Sequence, residues 1–110
     1  MAGALILIFG TEPERGKELF ARRCSGCHAA DLNKEGPRLR GVYGRAAASA
    51  PGFDYSDALK KAGLRWDETN LDRWLADPEA MVPDSDMAFR MADREDRKAV
   101  IAYLKTLRNP

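Results

Sequence analysis

The sequence predicts a small all-α fold of four to five helices joined by Gly/Pro-rich loops, and three observations predict it. Residues suited to capping, Thr11, Asp67 and Asp93, stand ahead of three apolar-bearing stretches. Apolar residues in the last of these recur at helical spacing, and no convincing strand pattern appears. The longest segment between them, "NKEGPRLRGVYGRAAASAPGF" from Asn33 to Phe53, is dominated by Gly, Pro, Arg and Ala, which read as loop. With 110 residues the chain has room for one domain. Its own apolar residues make only a modest core.

The elements follow in order. Residues 1–10, "MAGALILIFG", end in an uncharged apolar run far short of the about 20 residues needed to cross a bilayer. The run lacks a positive n-region and a small-residue cleavage site. It is expected to be the trimmed end of a signal or anchor segment, or else a short extension packing on the domain that fills residues 11–110. Thr11 with Glu14 forms a capping-box pattern and opens a helix over Glu12 to Arg22. A short helix fits Ser56 to Ala62, stopped by Gly63. Asp67 caps a helix carrying Leu71, Trp74 and Leu75, which must end before Pro78. Asp93 caps the last helix, with Val100, Ile101, Leu104 and Leu107 on one face. No internal repeat or low-complexity segment appears.

The stretch CSGCH, Cys24 to His28, contains both cysteines and the single histidine of the chain. C-x-x-C-H reads as a c-type haem attachment. Haem carries two vinyl groups on neighbouring pyrroles, and each takes a cysteine as a thioether. On a helical turn residues i and i+3 share a face, so Cys24 and Cys27 reach both vinyls from one side. His28, next in line, is then held beneath the iron as proximal ligand. Structural zinc wants four Cys or His ligands, and only three exist here. A thioredoxin-like dithiol needs a βαβ context, and a plain disulfide leaves His28 unexplained. One haem c per chain is therefore the expected cofactor.

With His28 as one axial ligand, a second histidine is excluded; Met, Lys, water or nothing remain. Apart from Met1, the methionines are Met81, Met87 and Met91, all in "MVPDSDMAFRM" between two expected helices. A single methionine is ordinarily a core gap-filler. Three within eleven residues of a polar loop favour one of them as ligand. Met81 lies close to the preceding helix and Met91 two residues before the Asp93 cap, so Met87, mid-loop with Ser85 nearby to hydrogen-bond and hold the turn, is the expected ligand and Met91 the next candidate. Met/His ligation raises the reduction potential, which suits an electron carrier.

These residues sit in a chain that resembles the class I cytochromes c of soluble mitochondrial and bacterial type, over Thr11 to Arg108. "GPRLRGVYGR" is similar to the family's Gly-Pro loop, "APGFDYSDALKKAGLRW" to its propionate-side segment, "LADPEAMVPDSDMAF" to its methionine loop and "REDRKAVIAYLKTL" to its C-terminal helix. The resemblance implies the small cytochrome c fold around one covalently attached haem, with Met87 at the ligand position. It implies Gly16 and Phe20 of the first helix packed on Tyr103 and Leu104 of the last. It implies that His28 donates to the carbonyl of Pro37, and that Arg45, Tyr55 and Trp66 bond or neutralise the haem propionates, which are expensive to bury without donors.

The chain also departs from the family pattern. Trp74 stands where the family has a tyrosine near the methionine sulfur, and Leu59 where mitochondrial members have an asparagine. Glu79, Ala80 and Asp86 replace lysines that ring the haem edge in mitochondrial members, while Arg23 keeps one basic place. The "AADLNKEGP" loop is shorter than in mitochondrial relatives. A bacterial periplasmic origin is favoured over the mitochondrial intermembrane space.

The implied function is one-electron carriage between respiratory or photosynthetic redox proteins: a cytochrome complex, an oxidase or a reductase. The alternatives are a haem module of a larger redox enzyme and a ligand-binding haem sensor or enzyme. A formal net charge of +1 points to no nucleic acid. The N-terminal segment is a candidate membrane tether, and a monomer is expected. No acid/base pair stands out, so no catalytic residue is assigned and no enzyme is expected; Asp67, Asp93, Glu95 and Asp96 read as caps and solvated helix charges.

Overall fold

The computed structural model describes residues 10–109. The expectation for the apolar segment 1–10 falls on residues outside that range, Gly10 excepted. Five helices follow in order: α1 Glu12–Arg23, α2 Asp57–Lys61, α3 Glu68–Ala76, α4 Pro78–Met81 and α5 Arg94–Thr106. Among the described residues there is no β-strand, only an isolated bridge between Ala46 and Arg65. No helix there is long and apolar enough to cross a membrane.

Local chemistry sets the helix starts. Thr11 N–H donates to Glu14 Oε1 at 2.9 Å and Glu14 N–H to Thr11 Oγ1 at 3.3 Å, so both halves of the capping box form. Glu12 and Glu14 in the first turn of α1, with Arg22 and Arg23 in its last, also complement the helix dipole. Ser56, Asp67 and Asp93 each accept from a backbone N–H of the first turn of α2, α3 and α5.

The helix α1 runs one residue past the expected Arg22, α2 falls one residue short of Ser56–Ala62 at each end, and two other boundaries also differ from expectation. The helix from Asp67 ends at Ala76, ahead of Pro78 as expected, but a further one-turn helix starts at Pro78 itself. Asp77 closes α3 and caps α4, its side chain accepting Ala80 N–H at 3.2 Å, and proline suits a first helical position because its missing N–H needs no partner. Met81, expected in a loop, is therefore the last residue of α4. At the other end, Leu107 caps α5 instead of extending it. The chain turns there so that Leu107 O accepts Gly41 N–H at 2.6 Å, and the side chain stays buried.

The helices α1 and α5 cross at Gly16. A Cβ at that position would run into the Ala99 carbonyl and the Tyr103 side chain, so glycine is what lets the backbones meet. Phe20 and Tyr103 pack beside the crossing, ring centroids 5.5 Å apart at 59°. Leu71, Trp74 and Leu75 of α3 join Val100, Ile101 and Leu104 of α5 in one core, with the Trp66 ring 5.2 Å from that of Trp74. The long Gly/Pro-rich segment contains no helix, yet its backbone is pinned at many points: Leu39 N–H to Ala29 O, Gly44 N–H to Trp66 O and Ala47 N–H to Leu64 O. This loop and α3 enclose the space in which the candidate site lies.

Candidate haem site

The CSGCH stretch continues from the last turn of α1. Cys24 and Ser25 N–H groups share Phe20 O at 2.8 and 2.9 Å, and Cys27 and His28 share Cys24 O at 3.1 and 2.9 Å. This compact turn puts Cys24, Cys27 and His28 on the wall of one cavity, while Ser25 and Gly26 stay out of it. Neither cysteine is in a disulfide among the described residues. Burial pushes the half-buried Cys24 thiol up to about 11, against a smaller opposing pull from Arg23, so it is held as the neutral thiol.

His28 has its tautomer set by one contact. Its Nδ1 lies 3.0 Å from Pro37 O, a group that only accepts, so Nδ1 carries the hydrogen. Burial pulls the imidazole below its ordinary pKa, outweighing the opposing effect of that bond. The ring is then neutral, and Nε2 presents a bare lone pair. Gly36 lies against the same ring: a Cβ there would fall inside contact distance of Cε1, Nδ1 and Nε2. Neighbouring backbone holds this approach, with Gly36 N–H donating to Cys27 O at 2.8 Å.

The cavity has a volume of about 410 Å3, in the range of small-molecule and cofactor sites. Protein interiors hold few voids larger than a water molecule, so a cavity of this size is no packing defect. Its walls come from the core itself, through Phe20, Leu71, Leu75, Val100 and Leu104. This site is built around a group of substantial size.

All ten residues singled out in the sequence line this one cavity: Cys24, Cys27, His28, Pro37, Arg45, Tyr55, Trp66, Trp74, Ser85 and Met87. Trp74 Nε1–H donates to Met87 Sδ at 3.1 Å. Met81 and Met91 do not line it; Met81 packs against the core from α4, and Met91 is fully buried within the core. Arg45 donates to Arg38 O at 3.2 Å and Arg40 O at 3.3 Å, and burial lowers its guanidinium pKa. Its Nε is buried without a partner among the described residues. The Tyr55 hydroxyl accepts Ala50 N–H at 3.0 Å and keeps its proton to give. Trp66 is buried, its carbonyl accepting Gly44 N–H and its N–H donating to Arg45 O.

Ser85 departs from its expected part. Its Oγ is buried with no partner among the described residues, and the turn is held instead by backbone, Ser85 N–H to Val82 O at 3.2 Å. Arg45 Nε and Ser85 Oγ are thus unmet donors within residues that line a mostly apolar cavity. Buried donors of this kind are costly unless met. A planar apolar macrocycle with anionic substituents fits such a lining, and so does a donor set of imidazole, thioether and two thiols.

Gly36 was not legible as a site residue. Its dipeptide with Pro37 signals a loop, but the steric demand comes from a ring eight positions earlier, and only the folded geometry reveals it.

A shell of five helices and a pinned loop around one apolar cavity, with C-x-x-C-H on its wall, is the architecture of a class I monohaem cytochrome c. The chain belongs to the cytochrome c family, whose model, described as "Cytochrome c", matches residues 13–108. A cytochrome c of Euglena viridis is 42% identical over 101 residues, covering 89% of this chain and 99% of the relative. A "cytochrome c2 iso-2" of Magnetospirillum molischianum is 47% identical over 88 residues, covering 77% and 91%. Among solved structures, cytochrome cH from Methylobacterium extorquens superposes with a TM-score of 0.83 at 44% identity, covering 87% of this chain and 99% of that one. Membership brings covalently bound haem c, with its iron, as cofactor, and makes the protein an electron carrier and not an enzyme.

Proposed function

We propose that the protein is a monomeric, soluble one-electron carrier of a bacterial periplasm, with thioethers at Cys24 and Cys27 and axial ligation by His28 and Met87. It passes electrons between respiratory or photosynthetic partners: a cytochrome complex and an oxidase or reductase. The segment 1–10 is the candidate tether to a membrane. The carrying observation is Met87 Sδ on the wall of the cavity that His28 also lines, held by the Trp74 N–H at 3.1 Å.

When bound, haem c supplies the iron whose charge changes by one on each transfer. The chain's residues do the rest. His28 is kept neutral by burial and turned by Pro37 so that Nε2 faces outward from that bond. Met87 offers a thioether, a ligand that favours the ferrous state. Arg45 and Tyr55 meet the carboxylates that would otherwise be buried bare. The apolar wall of Phe20, Leu71, Leu75 and Leu104 keeps water out, which limits the reorganisation that accompanies each change of charge. The periplasmic assignment draws on the bacterial relatives named cytochrome c2 and cytochrome cH.

Replacing single methionines tests the ligand assignment. Met87→Ala should admit cyanide or imidazole to the iron and lower the reduction potential. Met81→Ala should leave the six-coordinate spectrum and the potential nearly unmoved, and Met91→Ala should do the same while costing about 2–5 kcal/mol of stability as a core truncation. A Met87→Ala protein that keeps its methionine-ligated spectrum would defeat the assignment.

A further inference from the structure

The segment that carries Met87 hangs between two anchors. Among the described residues, Asp86 to Arg90 donate no main-chain N–H to any acceptor. On the near side, Glu79 Oε2 and Oε1 accept Asp84 N–H at 3.1 and 3.3 Å, and Ser85 N–H reaches Val82 O. The Glu79 contacts are exposed, and Asp84 sits in the left-handed region at φ 68°. On the far side Met91 N–H donates to Leu75 O at 2.8 Å, and the Met91 side chain is fully buried.

Arg97 completes the far anchor. Its Nη1 donates to Met91 O at 3.0 Å and Ala92 O at 2.9 Å, and its Nε donates to Asp72 Oδ1 at 2.8 Å. One guanidinium thus ties the end of the methionine segment to α3 and α5 together. Its side chain is only 13% exposed, though Asp72 is 43% exposed and the Ala92 bond lies at the surface, and a charged donor makes the stronger kind of hydrogen bond. Among the described residues no other donor serves either carbonyl. Only three residues lie between Met87 and Met91, a span of at most about 14 Å of chain. Release of the Met91 and Ala92 main chain would therefore lengthen the tether on the sulfur.

We infer that Arg97 is a positioning residue for the axial methionine: its fork on Met91, Ala92 and Asp72 sets how often the segment opens and releases the iron. The inference rests on the reading of Met87 as ligand. Opening is a local event below global unfolding, and its frequency follows the bonds broken in it. Losing one charge-assisted hydrogen bond changes such an equilibrium by about tenfold or more.

The test is the rate of cyanide binding to the ferric holoprotein, read with amide hydrogen exchange along residues 84–93. In the parent protein the Met91 amide should exchange slowly and those of residues 86–90 fast. Arg97→Ala should raise the cyanide rate about tenfold or more and expose the Met91 amide, and Arg97→Lys should recover part of both. Asp72→Asn, which removes the charge but keeps an acceptor, should raise the rate by a smaller factor. Met87→Ala separates the two readings. If it fails to speed cyanide binding, the ligand assignment is at fault; if it does and Arg97→Ala does not, Arg97 has no positioning role. Should Arg97→Ala not fold, the parent exchange pattern still decides, because slow exchange across residues 86–90 would overturn a segment whose main-chain N–H groups are held only at its ends.

Discussion

The indole N–H of Trp74 donates to the thioether sulfur of Met87 at 3.1 Å. The indole is held from two sides. Trp74 is buried on α3 with its ring 5.2 Å from that of Trp66, so the N–H direction is fixed by packing and not by the sulfur. A donor on the sulfur withdraws electron density that would otherwise go to ferric iron. Trp74→Phe keeps an aromatic ring and removes the donor. The reduction potential should fall, by at most about 40 mV, since one neutral hydrogen bond nets about 1 kcal/mol and the couple carries one electron. Potentiometry on the two holoproteins decides; a potential that rises would contradict this role for Trp74.

Gly36 and the His28 imidazole make the second case. A single methyl at Gly36 would overlap three atoms of the ring, and Gly36 cannot retreat without breaking its N–H bond to Cys27 O. Gly36→Ala should therefore turn the imidazole away from Pro37 O or push the loop outward. The expected outcome is a reduced yield of holoprotein, with the residual product more easily ligated at the histidine side. Gly44→Ala is the control: Gly44 has a positive φ, 86°, which Gly36 has not, and no atom lies within 4 Å of its Cβ position, so only backbone strain is added. Equal haem incorporation in the two variants would remove Gly36 from the site.

The parts that were legible from sequence are those whose cause is local. The Thr11–Glu14 box, the Asp67 and Asp93 caps and the C-x-x-C-H spacing each act within one turn, so the chain announces them. Met87 was reachable by position between two helices, with the resemblance adding the register. The one-turn helix from Pro78 was missed because a proline that ends one helix can also begin the next when an aspartate precedes it. Gly36 and Arg97 were silent for a different reason. Their demands come from His28 and from Asp72, Met91 and Ala92, groups that only the fold brings close. The Ser85 hydroxyl misled: its position beside Met87 favoured a turn-holding bond, but backbone holds that turn and the hydroxyl is buried without a partner among the described residues.

The charge around the cavity bears on how partners arrive. The charged residues among its exposed lining are Arg23, Glu35 and Asp86, one basic and two acidic. Of the nearby cations, Arg22 pairs with Glu18 at 3.8 Å and Arg90 with Asp77 at 3.3 Å, while Arg38 donates to the neutral Pro51 O at 2.9 Å and keeps its charge. Arg23 lies 5.0 Å from the Phe89 ring centroid, where its charge stays beside the opening. With a formal net charge of +1 and no single-sign rim, the long-range field at this face is weak. Strong steering raises association rates by about 10 to 1,000-fold and collapses with salt. Here a tenfold rise in ionic strength should slow electron exchange with a protein partner by well under about tenfold, because little field exists to be screened. Asp86→Lys and Glu35→Lys together would turn the rim basic and should steepen the salt dependence with an acidic partner. Stopped-flow rates across an ionic-strength series measure both slopes, and a steep slope in the parent protein would contradict the weak-field account.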